Sequence, residues 1–386
     1  MEIRILKEKI LDALQQVYAA VGHRNSIGIL SNIKIDVSET QLILIASDLE
    51  IEIKSTVSIS SSEFVKAGST AIPARKFLDI LKSLPEKSTA IIRTSENRCL
   101  IATSKRLKFK MNVLPSDDFP IFNDNKFELE DAVNVQIKEG DFKRALDKTL
   151  YATAITDVRY FLTGVYFNYK DNLVQLVASN GHMLALYEIL ATPKKESKIE
   201  TVIPKKAAVE LQRRLTNSDL NISLYFINGL MVVESSVNSA HSNSTMHITM
   251  TCKLIEDKYP DFKKVIPKNN TKIAVINKDM FRDRLLRASI LTNENLKNID
   301  LIFDEKSLVI TARNQANEEA TEVLDIVFNS NEPLQISFLC NYLTDTIAAI
   351  ETDEIEMHLN NKKTACLITS KANANHVSII MPLVSN

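Results

Sequence analysis

Apolar and polar positions along this chain follow one order three times. A short alternating strand comes first in each copy: Ile3-Arg4-Ile5, then Val135-Gln136-Ile137, then Ile273-Ala274-Val275. A polar step and a run of helical period follow. The runs are Lys7 to Leu14, Lys138 to Leu146, and Asn277 to Leu285. The apolar anchors Ile10, Phe142 and Phe281 stand 132 and then 139 positions apart. A repeat of this length is too long for a solenoid unit, so each copy is expected to be a domain.

Further segments keep the same order. Leu42 to Asp48, Leu173 to Asn180 and Leu308 to Asn314 alternate as strands and end in Ala, one residue, then Asp or Asn. Thr70-Ala71-Ile72-Pro73, Thr201-Val202-Ile203-Pro204 and Leu334-Gln335-Ile336-Ser337 then lead into second helical runs at 77–84, 207–215 and 342–350. Pro73 and Pro204 are expected in the first helical turn, where no N–H is required. Period-2 alternation outweighs helical period over most of the length, which implies antiparallel sheets with one face buried against helices. The predicted class is α+β, with three like domains at 1–128, 129–262 and 263–386.

Composition narrows the picture. The chain of 386 residues is 45% apolar and 25% charged, ordinary values for globular cores. No 18-residue apolar run predicts a membrane span, and Met1-Glu2-Ile3-Arg4 lacks a signal-peptide pattern. Cys99, Cys252, Cys340 and Cys366 form no CxxC pair, so reduced thiols in a cytoplasmic protein are expected. Net charge is −1, but basic residues concentrate in the helical runs. They are Lys7, Lys9, Arg75, Lys76, Lys143, Arg144, Lys148, Lys205, Lys206, Arg213, Arg214, Arg282, Arg284 and Arg287. The 342–350 run has none. Solvated helix faces and a polyanion-binding surface both fit this pattern.

Catalytic signatures are missing. Only seven glycines are present, and no GxGxxG, GxxxxGK[ST] or GxSxG occurs. His241 and His247 lack further ligands at metal spacing, and Asp117-Asp118 reads as a turn between strands. No cofactor, metal or catalytic residue is expected. One segment breaks the threefold pattern. Copy two carries Ser179-Asn180-Gly181-His182-Met183-Leu184 where copy one has Ser47-Asp48-Leu49-Glu50. Gly181 permits positive φ, and His182 either lines an apolar groove or packs in a tight turn. The apolar ending Ile379 to Val384 must pack against something or bind something.

Taken together, these segments resemble the bacterial sliding clamps, the beta subunit family of the replicative DNA polymerase. The resemblance rests on Ile29-Leu30-Ser31-Asn32-Ile33, Ile72-Pro73-Ala74-Arg75-Lys76-Phe77 and Asp118-Phe119-Pro120 in copy one. Copy two adds Asp157-Val158-Arg159-Tyr160-Phe161-Leu162-Thr163-Gly164, Ala178 to Ala185, and Tyr259-Pro260-Asp261-Phe262. Copy three adds Ile290-Leu291-Thr292-Asn293-Glu294, Ala312 to Ala320, and Met381-Pro382-Leu383. The resemblance implies a head-to-tail homodimeric ring of six like domains that encircles duplex DNA. Such a ring is a non-catalytic tether conferring processivity on DNA polymerase III. It would bind DNA without sequence preference through weak phosphate contacts, which permit sliding.

The resemblance also implies sites. A pocket for short peptides from the polymerase catalytic subunit, the clamp loader and repair polymerases would involve Leu162, Ser179, Gly181, His182, Met183, Leu184, Pro260, Val265, Leu296, Tyr342, Ile379, Ile380, Met381, Pro382 and Leu383. Met183 stands where many members have Arg, and Val384-Ser385-Asn386 replaces a common basic ending. DNA-facing positions would be Arg24, Arg75, Lys76, Lys143, Arg144, Tyr160, Lys205, Arg213, Arg214, Arg282 and Arg284, with Phe161 either near DNA or in the core. A dimer contact would pair Phe109 and Met111 with Ile290 and Leu291. Two other classes compete. One is a scaffold of the same fold that uses only the pocket. The other is a hydrolase, against which the missing nucleophile–base motif speaks.

Overall fold

The computed structural model describes residues 1–22, 27–103, 107–122, 132–193, 198–238, 245–292 and 297–383. Six helices carry the threefold pattern. A strand runs directly into a helix at Glu2–Leu6 and α1 (Lys7–Val17), at Gly68–Pro73 and α2 (Ala74–Ser83), and at Val133–Lys138 and α3 (Glu139–Thr149). The same junction recurs at Ile199–Pro204 and α4 (Lys205–Arg214), at Lys272–Asn277 and α5 (Lys278–Ala288), and at Leu334–Leu339 and α6 (Cys340–Ala348). The second helix of each copy starts two or three residues earlier than the apolar period alone suggests. No loop separates it from its strand, so Pro73 and Pro204 end a strand and occupy the N-cap rather than the first turn.

The helices form where apolar side chains recur at i, i+3, i+4 and i+7. In α1 these are Ile10, Ala13, Leu14 and Val17, and in α3 they are Phe142, Ala145 and Leu146, with the Thr149 hydroxyl at the fourth position donating back to the Ala145 carbonyl. In α5 they are Phe281, Leu285 and Ala288. Each first helix lies against the second helix of its own copy, α1 on α2, α3 on α4 and α5 on α6. A lysine ties each pair together at the open end of the second helix. Lys7 Nζ lies 2.5 Å from the Leu84 carbonyl, Lys143 Nζ 3.0 Å from that of Gln212, and Lys278 Nζ 3.2 Å from that of Ile350. These carbonyls lie at or just past the C-terminal end of each helix, where the dipole is negative, so an ammonium there stabilises the pair.

The chain groups into two compact units. One holds 1–137 and 221–254, the other 138–220 and 255–386. The second copy therefore contributes to both, and the reason is sheet pairing. Thr245–Lys253 of copy two pairs with Ile51–Ser58 of copy one, and Met183–Leu190 of copy two pairs with His376–Ile380 of copy three. Both pairings are antiparallel. The first unit also has a five-stranded sheet ending at the edge strand Leu107–Asn112. The second has a nine-stranded sheet that includes the 183–190 and 376–380 strands, and a four-stranded sheet running from Glu319–Asp325 to Leu334–Leu339. All four cysteines are buried and unpaired, and burial raises the Cys99 thiol to about 12, so these thiols are inert packing groups.

Candidate functional site

Alternation along two paired strands creates a two-faced wall in the second unit. Leu184 sits opposite Ile379, and Met183 sits opposite Ile380. Neighbouring residues on a strand point to opposite faces. Leu184 and Ile379 enter an apolar cluster with Tyr166, Val177, Leu186, Val202, Tyr259 and Phe262. Met183 and Ile380 are buried on the other face, so their side chains do not join this cluster. The resemblance implies a pocket that involves all four, and the pleat puts Met183 and Ile380 on the opposite face from Leu184 and Ile379.

Aromatic rings set the floor of the cluster. Tyr166 and Tyr259 stack with centroids 4.4 Å apart and planes at 10°. Phe161 meets Tyr259 edge-on at 5.6 Å, and Phe262 meets Tyr166 at 6.2 Å. Such pairs each add about 0.5–1.5 kcal/mol beyond their buried area, so the floor is stiff. Burial pushes the Tyr166 hydroxyl up to about 12. The Tyr259 hydroxyl is buried with no hydrogen-bond partner among the described residues. Phe161 therefore belongs to this apolar cluster, while its neighbour Tyr160 is 68% exposed.

A tight turn forms one rim. Asn180 Oδ1 accepts from the backbone N–H of His182 at 3.0 Å and of Met183 at 2.9 Å. Ser179 Oγ accepts from Gly181 N at 3.1 Å and donates to the Met183 carbonyl at 2.7 Å. This closure requires φ +87° at Gly181, the conformation glycine adopts without a Cβ penalty. A Cβ at Gly181 would also come within 3.0 Å of Arg159 Nη2. That guanidinium is held in a two-point pair by Asp157, whose carboxyl it lowers to about 2.

Copy three completes the rim. The exposed His182 ring stacks on Tyr342 of α6 at 6.2 Å. Met381 N donates to the His182 carbonyl and Leu383 N to the Ser337 carbonyl, each at 2.8 Å. The chain end is thus tied down at two points, with Pro382 buried and Met381 40% exposed between them. Leu162 is buried, whereas Pro260 and Val265 are exposed beside Tyr259 and Phe262. Leu296 and Arg24 lie outside the described residues. Sequence reasoning missed Tyr166, Tyr259, Phe262 and Arg159 as site residues. The available signal was alternation in Gly164–Lys170, which puts Tyr166 on one face of its strand.

The basic residues divide sharply. Arg75, Lys76, Arg213 and Arg282 are exposed and make no ion pair among the described residues. Others are engaged by partners within the fold. Arg284 and Arg287 both bind Glu322, at 2.8 and 2.7 Å, and Arg214 is paired with Glu210 at 2.7 Å. Arg144 bonds Asp141 at 3.3 Å, and Lys143 is turned to the Gln212 carbonyl. Burial also lowers the Lys205 ammonium. The helix starts are unusual. Neither α2 nor α4 has a side-chain N-cap or an acidic residue in its first turn, yet Arg75, Lys76, Lys205 and Lys206 sit there. Cations oppose the helix dipole at this end, whereas an anion would be welcomed by it. Phe109 and Met111 share one face of the edge strand Leu107–Asn112. Ile290 and Leu291 lie in the single turn Ser289–Leu291 after α5 rather than within that helix, and Ile290 is 75% exposed. No helix among the described residues is long and apolar enough to cross a membrane.

Comparison with known proteins covers the whole chain. The model of the DNA polymerase III beta subunit N-terminal domain matches residues 1–123, that of the central domain 136–261, and that of the C-terminal domain 263–384. The beta sliding clamp of Haemophilus influenzae is 32% identical over 384 residues, covering 99% of this chain and 100% of its own. The crystal structure of the Pseudomonas aeruginosa DNA polymerase III beta subunit superposes with TM-score 0.91 at 29% identity, with 100% of both chains covered. A Pseudomonas aeruginosa sliding clamp bound to griselimycin gives 0.89 at 29% identity, again with 100% of both chains covered. The chain belongs to the DNA polymerase III beta subunit family, the beta sliding clamps, which are non-catalytic processivity factors of DNA replication.

Proposed function

We propose that two copies of this chain close head to tail into a ring of six like domains around duplex DNA. The ring holds the polymerase catalytic subunit, clamp loader and repair polymerases through short peptides. Three clamp domains at 1–128, 129–262 and 263–386 would supply the six. The observation that carries the reading is the threefold helix pair with uncapped, basic starts on α2 and α4. Phosphates meeting Arg75, Lys76 and Lys205 there would gain both cations and open N–H groups. Arg213, Arg282 and Tyr160 would add contacts, and Arg24 belongs to the same proposed set. These contacts are few and sequence-blind, so retention comes from topology, and salt weakens the contact without releasing the ring.

A head-to-tail contact is heterologous and closes when its rotation allows. Phe109 and Met111 on an open sheet edge, facing Ile290 and Leu291 of a second copy, suit it. The peptide pocket would lie on the aromatic floor and the 180–182 turn, with Tyr342, Met381, Pro382 and Leu383 as its other wall. Apolar anchors bury against such a floor while a few polar groups fix orientation. Bacterial cytoplasm, at the replicating nucleoid, is the matching location.

The test is loading of the purified chain onto nicked circular DNA, followed by linearisation. A dimer of about twice 43.4 kDa that stays on circles and leaves linear DNA is expected. A stable monomer, or equal retention on both forms, would refute the ring.

A further inference from the structure

The His376–Ile380 strand works on two faces. Val377 and Ile379 pack with the apolar cluster of the proposed pocket. His376 and Ser378 alternate to the other side, at the end of α3, where they are 5% and 1% exposed. Lys148, in the last turn of α3, is close enough for its ammonium to oppose a charge on the His376 ring. His376 Nε2 lies 3.3 Å from Ser378 Oγ, which lies 3.0 Å from the Tyr151 hydroxyl. The Lys148 ammonium, itself on a 5% exposed residue, bonds Glu351 at 2.8 Å. Tyr187, the register partner of His376, packs against its ring edge-on at 5.8 Å.

This cluster joins α3 of the second copy to the strand of the third. Its hydrogen bonds are satisfied in one register alone. A slip of one residue would drive His376 and Ser378 into the apolar cluster and turn Val377 and Ile379 onto Lys148. Buried polar groups of this kind select one arrangement more than they add stability. The pocket wall made by Ile379, and the Met381–Leu383 ending that continues it, inherit their position from that choice.

We propose that His376, Ser378, Tyr151 and Lys148 are positioning residues for the peptide pocket, holding its third-copy wall in register from the face opposite the peptide. The inference rests on the pocket reading given above. The full-length chain is titrated against a fluorescein-labelled peptide from the C-terminal tail of a DNA polymerase III catalytic subunit. His376→Ala is expected to weaken binding about tenfold, the size of one lost buried hydrogen bond. His376→Gln keeps a donor and an acceptor and is expected to recover most of that loss. Ser378→Ala, a milder change that keeps the fold if His376→Ala does not, is expected to weaken binding about threefold. Binding within twofold of the parent in the His376→Ala and Ser378→Ala variants overturns the role, and so does glutamine that rescues no better than alanine. A Met381→Ala, Leu383→Ala control separates the two readings. Binding that survives it overturns the pocket and the positioning role together. Binding lost there but unchanged in the His376 and Ser378 variants overturns the positioning role alone.

Discussion

The joint between the second and third copies is expected to weaken in acid, through His376. Burial, and then the Lys148 ammonium, lower its imidazole from 6.5 to about 4, against the pull of Glu351. The opened state regains the ordinary value. A histidine lowered on folding adds stability that is complete above 6.5 and drains as pH falls towards the folded value, because the opened state takes up the proton first. The difference between the two values corresponds to roughly 3 kcal/mol when fully expressed. At pH 5 roughly 2 kcal/mol is already lost, a factor of about thirty in the opening equilibrium. Glu351, held low by Lys148, loses its own contribution only as pH falls below its ordinary 4.5, so it is silent between pH 8 and 5. Hydrogen exchange of the 376–380 strand reads this opening directly, even where a chain of several domains does not unfold in one step. After correction for intrinsic exchange rates, protection should fall about thirtyfold from pH 8 to pH 5 in the parent chain. In His376→Gln the fall should vanish. An equal pH dependence in both chains would refute the assignment of the proton to His376.

Three other outcomes follow from the same geometry. Met381→Ala with Leu383→Ala should abolish binding of a polymerase tail peptide while leaving the dimer intact by size, because the two backbone hydrogen bonds of this segment do not involve those side chains. Loss of the dimer would make the terminus structural. Reversing Arg75 and Lys76 to Glu should lower the slope of log affinity against log salt on short duplex DNA by roughly one per phosphate contact removed, whereas Arg284→Glu should act mainly through its lost Glu322 pair. An unchanged slope in the first variant would place the DNA contact elsewhere. Tyr259→Phe should raise the melting temperature by about 1 kcal/mol worth of stability, since it removes a buried hydroxyl that has no partner among the described residues. A clear drop would mean that the hydroxyl is satisfied by water.

The sequence by itself determined the repeated architecture. Ile10, Phe142 and Phe281 mark three equivalent helices because helix and strand periods are local, and burial of one face depends on nearest neighbours in the chain. The positive φ of Gly181 was legible for the same reason. The resemblance to the clamps brought the remote pocket residues together as a list but could not say which way each side chain turns. Met183 and Ile380 differ from Leu184 and Ile379 only by one step of the pleat, and the pairing register that decides between faces joins residues nearly two hundred positions apart. Availability of charge was equally hidden. Arg75 and Arg284 read alike in the chain, yet only the tertiary fold brings Glu322 onto one of them and leaves the other open. Tyr166 over Tyr259, and His376 against the end of α3, are likewise products of long-range packing. The chain's local period fixed which elements exist, and the tertiary structure decided which faces, charges and rings those elements present to a partner.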